Sequence, residues 1–204
     1  MKKHTIITIG RQFGSGGHEV GKRLSDRLDI PLYDRNLIQM AAKELKVETA
    51  EAEKMDESLL GHLLSGMKGA GDYVNYVSAM KEEPLSDRMF QVQSELIRGL
   101  ARRGPCIIIG RCADYILQEF PCINAFIYAE IRDRIERIQK IYNLNEEQAW
   151  EKIKNVDKER KYYYEAHTGS TWGSIESHQM LFNVSLLPME DAVDVLTAMY
   201  RARR

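Results

Sequence analysis

The 204-residue sequence has few cysteines, and their arrangement narrows the redox and metal chemistry to be expected. Cys106, Cys112 and Cys122 are odd in number and have no CxxC-type spacing. This argues against a disulfide framework and against a zinc site held by paired cysteines. We therefore expect reduced thiols, with Cys106 inside a core strand.

The sequence also lacks any apolar run that approaches the ~20 residues needed to span a bilayer. The N-terminal segment MKKHTIITIGRQ has neither the apolar stretch nor the small-residue cleavage site of a signal peptide. These absences predict a cytoplasmic protein that has no membrane partner.

The sequence has no excess of one sign of charge: it contains 29 Lys and Arg residues and 30 Asp and Glu residues, which gives a net charge of -1. A general nucleic-acid binder would carry a basic surplus, so nucleic acid is an unlikely partner and any anion site must be local. With 44% hydrophobic and 29% charged residues, the chain has enough apolar material for a packed core. Its length suits one domain, residues 1–204, with a small insert.

β-branched segments alternate with amphipathic ones along the chain, which predicts an α/β fold with a five-stranded parallel sheet and helices on both faces. Residues 46–85 lack this periodicity, so we expect a helical insert there on the acceptor side. Its exposed apolar residues are a possible homodimer surface. In such a sheet the binding site lies beyond the carboxyl ends of the strands. The predicted strands are Thr5–Ile9, Pro31–Tyr33, Cys106–Gly110, Ile123–Glu130 and Met180–Ser185.

The segment GRQFGSGG, residues 10–17, follows the first strand and opens a helix. Glycines in that context let the backbone approach an anion closely, and the helix N-terminus aims its amide groups at the same point. A phosphate cradle is a better interpretation than a plain strand-to-helix turn. The candidate phosphate-binding residues are Arg11, Gln12, Gly14, Ser15, Gly16, Gly17 and His18.

This segment departs from the ordinary phosphate loop GxxxxGK[ST]. Gly17 stands where the lysine is usual, and Glu19 stands where a magnesium-binding hydroxyl is usual. Lys22, about two helical turns along, is badly placed to substitute. Arg11 and His18 are the nearby groups that could supply the missing charge, although a solvated loop arginine and a surface histidine are the simpler interpretations.

The block IGRQFGSGGHEVGKRLSDRLDIPLYDRNLI resembles the N-terminal signature of the cytidylate kinase-like family, which are P-loop relatives of nucleoside monophosphate kinases. The resemblance continues at IIIGRCADYIL, at FIYAEIRDRIERI and at IKNVDKERKYYYEAHTGSTWG. It implies a P-loop kinase fold with a lid at about residues 155–178.

The resemblance also implies roles for residues that follow the later strands. Arg111 resembles the arginine that grips the acceptor phosphate, and Asp114 either orients it or caps the next helix. Arg160 resembles a lid arginine that contacts both nucleotides, and Arg134 is a further candidate on the preceding helix. A salt-bridged, exposed helix is the alternative interpretation of Arg134.

Asp34 and Arg35 begin the segment that binds the acceptor in the family. The resemblance implies ATP as the phosphoryl donor, Mg²⁺ carried mainly by the triphosphate and water, and a small-molecule nucleotide as substrate. No protein residue is predicted as a metal ligand. Gln39 and Met40 occupy positions near which cytidylate kinases carry an arginine, so the acceptor base stays open.

Two functions are consistent with these residues. The first is an ATP-dependent phosphotransferase acting on a nucleoside monophosphate or a similar small acceptor. The second is a nucleotide-binding regulatory protein in which catalysis was lost together with the loop lysine and hydroxyl. The departures at Gly17 and Glu19 favour the second function, and the retained arginines favour the first.

Overall fold

The computed structural model describes residues 4–34, 37, 39–40 and 85–203. The insert predicted at about 46–85 lies outside these residues apart from its last position, and so does Arg35. The chain divides into two compact units, one made of Met1–Asp34 with Ile97–Arg204 and the other of Arg35–Leu96. The first unit carries the sheet. The arrangement of residues 1–204 as a single domain stays a prediction.

The sheet has five strands in the order β2-β3-β1-β4-β5, and every neighbouring pair is parallel. This confirms the predicted fold class. β1 lies at the centre, and its Ile7 pairs with Ile107 on one side and Ile123 on the other. The strands are β1 (Ile6–Arg11), β2 (Leu32–Tyr33), β3 (Ile107–Ile109), β4 (Cys122–Tyr128) and β5 (Met180–Asn183).

Helices connect the strands in the alternation that the sequence predicts. Within the described residues they are α1 (Gly17–Leu28), α2 (Leu85–Arg103), α3 (Ala113–Ile116), α4 (Ile131–Tyr142), α5 (Glu146–Thr168) and α6 (Met189–Ala202). The first unit contains residues 97–103 of α2. None of the described helices is long and apolar enough to cross a membrane.

The central strands are apolar on both faces because a parallel sheet is covered on both sides. Ile7, Ile9 and Ile109 join the main buried cluster, to which α1 contributes Leu24 and α6 contributes Leu196. Ile6, Ile97 and Ile108 are fully buried as well. By strand alternation, Ile6 and Ile108 point to the opposite face of the sheet.

The ends of α5 follow the local signals in the sequence. The Asn145 side chain accepts from the Gln148 amide at 2.8 Å, and the Gln148 side chain accepts from the Asn145 amide at 3.1 Å. This capping box satisfies two amide groups at the helix start. Gly169 ends the helix in the left-handed conformation at φ 67°. The long helix is thereby set at both ends by residues in its own sequence.

Candidate functional site

The glycine loop connects β1 to α1 at the carboxyl edge of the sheet. Gly14 and Gly16 have φ values of 79° and 86°, which side-chain-bearing residues rarely adopt. Gly16 is the N-cap of α1, and its carbonyl accepts from the Val20 amide at 3.0 Å. The first amide groups of a helix have no partner within the helix, so this end of α1 can receive an anion.

Two polar side chains of the loop support its backbone. Ser15 is fully buried, and its hydroxyl donates to the Gln12 carbonyl at 2.8 Å. The Gln12 amide donates to the Ile127 carbonyl at 3.0 Å, and its side-chain oxygen accepts from the Ala129 amide at 3.3 Å. Ser15 therefore closes the loop on itself, and Gln12 holds the loop against the end of β4. The role predicted for them in phosphate binding remains a prediction.

Three arginines come together beside the loop. Arg11 ends β1, and its guanidinium lies against Gly110 and 3.6 Å from the Asp34 carboxylate. Arg160 on α5 donates to the Arg11 carbonyl at 3.4 Å. Burial lowers the pKa of Arg160 below its usual value, and the positive charge of Arg11 lowers it further, whereas the carboxylates of Asp157 and Asp34 oppose the shift. An anion bound nearby would stabilise the charged form of this poorly solvated arginine.

Arg111 projects from an unusual turn after β3. Gly110, Arg111 and Cys112 are consecutive residues in the left-handed region, with φ values of 69°, 58° and 53°. This conformation costs about 1–2 kcal/mol for a residue with a side chain. Strained backbone of this kind persists where surrounding structure holds it, and it is enriched at functional sites. The turn lies at the sheet edge where the sequence places the acceptor site.

Arg134 is held differently from the other arginines. Its side chain is 7% exposed, pairs with Asp157 and donates to the Phe13 carbonyl at 2.8 Å. Its Nε atom therefore contacts the glycine loop at the Phe13 carbonyl, and not at the N-terminus of α1. Its predicted catalytic role stays a prediction, but the described contacts are structural.

Arg137, one helical turn beyond Arg134, lies directly against Gly16. Its Nη1 atom also approaches the Met189 sulfur at 3.8 Å. A thioether is a weak hydrogen-bond acceptor, so this contact leaves capacity for a stronger anionic partner. In the sequence Arg137 shares a helical face with Arg134, and of the two only Arg134 was predicted as a catalytic residue. The available signal was the position of a second arginine on the same helical face.

Asp34, expected to bind the acceptor, contacts two residues that were expected to bind phosphate. Its carboxylate accepts from His18 Nδ1 at 2.9 Å and pairs with Arg11 at 3.6 Å. The side chain of His18 is 63% exposed, whereas that of Asp34 is 17% exposed. Asp34 thus links the end of β2 to both sides of the glycine loop.

Asp114 does not cap α3, because the N-cap of that helix is Cys112. Instead, Asp114 accepts from the Tyr164 hydroxyl on α5 at 2.6 Å. Burial and this hydrogen bond both raise the pKa of Tyr164. Tyr164 was not among the residues selected from the sequence, since an aromatic residue on a long helix usually serves packing.

The residue at the usual position of the magnesium-binding hydroxyl is engaged in an ion pair. Glu19 occupies the usual position of the metal-binding hydroxyl, and Arg23 donates to it at 2.6 Å and 3.0 Å. This hydrogen bond from Arg23 lowers the pKa of Glu19. In the part of the chain that the structure describes, no three His, Cys, Asp or Glu side chains form a group that could hold a metal. Lys22 points to solvent.

The chain is similar to kinases in sequence and in structure. A curated cytidylate kinase from Ignicoccus hospitalis is 20% identical over 196 residues, which cover 96% of this chain and 98% of that protein. The crystal structure of an uncharacterized protein from Eubacterium ventriosum matches with a TM-score of 0.73 and 25% identity, over 97% of this chain and 99% of that chain.

A shikimate kinase from Bacteroides thetaiotaomicron matches with a TM-score of 0.53 and 12% identity, over 97% of this chain and 98% of that chain. This last likeness concerns the fold alone. The family model of the cytidylate kinase-like family matches residues 6–186, which include the glycine loop, Arg111 and Arg160. The chain therefore belongs to the cytidylate kinase-like family.

Proposed function

We propose that this protein is an ATP-dependent phosphotransferase whose acceptor is a nucleoside monophosphate or a similar small molecule. The observation that carries the proposal is the placement of Arg11 beside the glycine loop, with Arg160 donating to its carbonyl and its guanidinium against Gly110, the residue before Arg111. Phosphoryl transfer needs positioned phosphates and cations that neutralise the charge on the transferring group. Membership of the cytidylate kinase-like family supports the same reaction class.

The proposal assigns the donor phosphates to the glycine loop and to the start of α1. Arg137 lies on Gly16 and is the cation best placed to compensate for the missing loop lysine. The acceptor phosphate is assigned to Arg111 and Arg160. Asp34 is proposed to contact the acceptor at the end of β2, and Arg35, the next residue in the sequence, keeps its predicted acceptor-binding role. Mg²⁺ would enter with the nucleotide and keep most of its water ligands, because Glu19, at the usual position of the metal-binding hydroxyl, is paired with Arg23.

The second candidate function is nucleotide binding without phosphoryl transfer. The contact between Glu19 and Arg23 favours it, because this pair occupies the place of the hydroxyl that orients Mg²⁺ in ordinary phosphate loops. The two functions share the same anion cradle. They differ in turnover alone.

ATP consumption with Mg²⁺ and a panel of nucleoside monophosphates distinguishes the two functions. A kinase should turn over with one acceptor, and Arg111→Ala should lower that rate by about a hundredfold or more, because a preorganised charge on the transferring phosphate is lost. Arg132→Ala is the matched control, since the Arg132 side chain is 89% exposed. Calorimetric titration with ATP runs in parallel.

Saturable ATP binding without turnover for any acceptor would establish the regulatory function. A protein that binds neither ATP nor any monophosphate would overturn both candidates. Equal loss of activity in Arg111→Ala and Arg132→Ala would contradict the specific role of Arg111.

A further inference from the structure

Both polar groups of the Phe13 peptide backbone are held by side chains from distant helices. The Phe13 amide donates to Asp157 Oδ1 at 2.7 Å, and the Phe13 carbonyl accepts from Arg134 Nε at 2.8 Å. The Arg134 guanidinium also pairs with Asp157 Oδ2. The three residues thus form a closed ring of polar contacts, which we call the Phe13 clamp.

The Phe13 clamp has little access to solvent. The side chains of Arg134 and Asp157 are 7% and 18% exposed. A buried ion pair is costly unless its remaining donors and acceptors are satisfied. Here the Phe13 amide donates to the Asp157 carboxylate, and the Phe13 carbonyl accepts from the Arg134 guanidinium. Charge-assisted hydrogen bonds of this kind are roughly twice as strong as neutral ones. The clamp therefore restrains the backbone at Phe13 more firmly than a turn hydrogen bond would.

The restraint acts at the entrance of the glycine loop. Gly14 follows Phe13 with φ 79°, and a Cβ atom there would lie 3.1 Å from the Arg134 carbonyl oxygen. The loop therefore packs closely against the α4 backbone. Since glycines supply no side-chain packing of their own, the orientation of the following amides depends on what fixes the residues around them.

The same face of α5 carries Arg160 one helical turn after Asp157. Arg160 lies with its guanidinium carbon 5.4 Å from the centre of the Phe13 ring and donates to the Arg11 carbonyl. Asp157 of the clamp and Arg160 therefore lie on one helix. A shift of α5 would change the position of Arg160 and the conformation of the loop together.

We infer that Asp157 is a positioning residue that sets the conformation of the glycine loop through the Phe13 amide, with Arg134 as its charge partner. This inference rests on the proposed function, since it takes the loop to be a polyphosphate cradle. Asp157 does not touch the phosphates in this arrangement. It determines whether the amides beyond Gly14 converge on them.

The test combines amide hydrogen exchange at Phe13 with calorimetric binding of inorganic tripolyphosphate, at a temperature where every variant is folded. Asp157→Ala should speed Phe13 exchange by about tenfold or more, because a charge-assisted hydrogen bond is lost. It should also raise the Kd for tripolyphosphate by about tenfold. Asp157→Asn keeps an oxygen acceptor and should fall between the native protein and Asp157→Ala in both measurements.

Glu151→Ala is the control on the same helix, because the Glu151 side chain is 52% exposed and pairs with Lys154, one helical turn away. It should change neither measurement. A folded Asp157→Ala protein with native exchange at Phe13, or with faster exchange and native tripolyphosphate affinity, overturns the inference. If Asp157→Ala does not fold, native values of both quantities in Asp157→Asn overturn it instead.

Failure of the native protein to bind tripolyphosphate would overturn the proposed function and with it the positioning role. Exchange at Phe13 would then still show whether Asp157 holds the loop. The two failures are therefore distinguishable by the native protein alone.

Discussion

The Tyr164 hydroxyl donates a 2.6 Å hydrogen bond to Asp114, joining the long helix α5 to the segment that follows β3. Tyr164 lies seven residues after Asp157 and four after Arg160, a spacing that puts the three side chains on one face of the helix. Each of them contacts a different segment at the carboxyl edge of the sheet. This face of α5 therefore connects the glycine loop, Arg11 and the turn that presents Arg111.

Tyr164→Phe tests this connection. The change should lower the free energy of unfolding by about 1.5–3 kcal/mol. A partly buried hydrogen bond to a carboxylate is lost, and Asp114 stays partly removed from water without the donor that compensated for it. Chemical denaturation with urea measures the difference. Tyr162→Phe is the control, since Tyr162 is 37% exposed and should lose less than about 0.5 kcal/mol. Equal effects of the two changes would contradict the connection.

Replacement of Arg111 by glycine and by alanine should separate backbone strain from charge. Both changes remove the guanidinium, so both should weaken binding of inorganic phosphate equally. Only glycine adopts the left-handed conformation at φ 58° without backbone strain, because it has no Cβ atom. Arg111→Gly should therefore be more stable than Arg111→Ala by about 1 kcal/mol. Thermal unfolding and phosphate titration of the pair measure the two quantities. Equal stability of the two variants would show that the turn relaxes without cost.

Gly16→Ala should be damaging for stability and for anion binding. The conformation at φ 86° is strained for alanine, and the new methyl group would meet Arg137 and Met189. We expect a loss of about 1–2 kcal/mol from the backbone alone. Gly99→Ala is a matched control in α2, where a Cβ atom meets nothing within 4 Å. It should raise stability by about 0.5–1 kcal/mol because alanine is the better helix former.

Calorimetric titration with tripolyphosphate completes that comparison. Gly16→Ala should lose affinity, because the methyl group displaces Arg137 from the N-terminus of α1. Gly99→Ala should keep native affinity. If both variants bind as the native protein does, Gly16 is not part of the cradle.

The pairing of Glu19 with Arg23 predicts a small pH dependence of stability. The hydrogen bond from Arg23 lowers the pKa of Glu19 from 4.5, so the pair contributes stability above that value. The contribution is lost as the pH falls through the lowered pKa. Since both side chains are about half exposed, Glu19→Gln should lose no more than about 0.5 kcal/mol near neutral pH.

Urea denaturation of native protein and Glu19→Gln between pH 7 and pH 2.5 measures this difference. The two free energies should converge as the solution becomes acidic. Addition of 1 M salt near neutral pH should shrink the difference too, because the pair is screened by mobile ions. A difference that persists in acid would contradict the assignment.

Local pattern was sufficient to predict most of the fold. The β-branched run Thr5–Ile9 predicts the central strand, which the structure has at Ile6–Arg11, and Asn145 and Gly169 predict the ends of α5. The loop glycines at 14, 16 and 17 allow positive φ values between β1 and α1, and Gly14 and Gly16 adopt them whereas Gly17 does not. These features depend on neighbours within a few residues, which a sequence displays directly. Boundaries shifted by a few residues, as at β5, which ends at Asn183 instead of Ser185.

The arginines of α4 show where local pattern is insufficient. The sequence places Arg134 and Arg137 on one helical face. It does not indicate which of them reaches Gly16 at the N-terminus of α1. The fold buries Arg134 against Asp157 and lays Arg137 on Gly16. The partner of each side chain comes from a segment that is distant in sequence, so no spacing rule specifies it.

By itself, the sequence determined the alternation of strands and helices, the glycine loop and the edge of the sheet at which its arginines gather. These follow from hydrophobic period, glycine conformation and the geometry of parallel strands. Only the tertiary structure decided that Asp157 binds the Phe13 amide, 144 residues away, and that Tyr164 binds Asp114. Such contacts depend on how α5 packs across the sheet edge, because burial requires each polar group to find a partner and the fold determines which one is near.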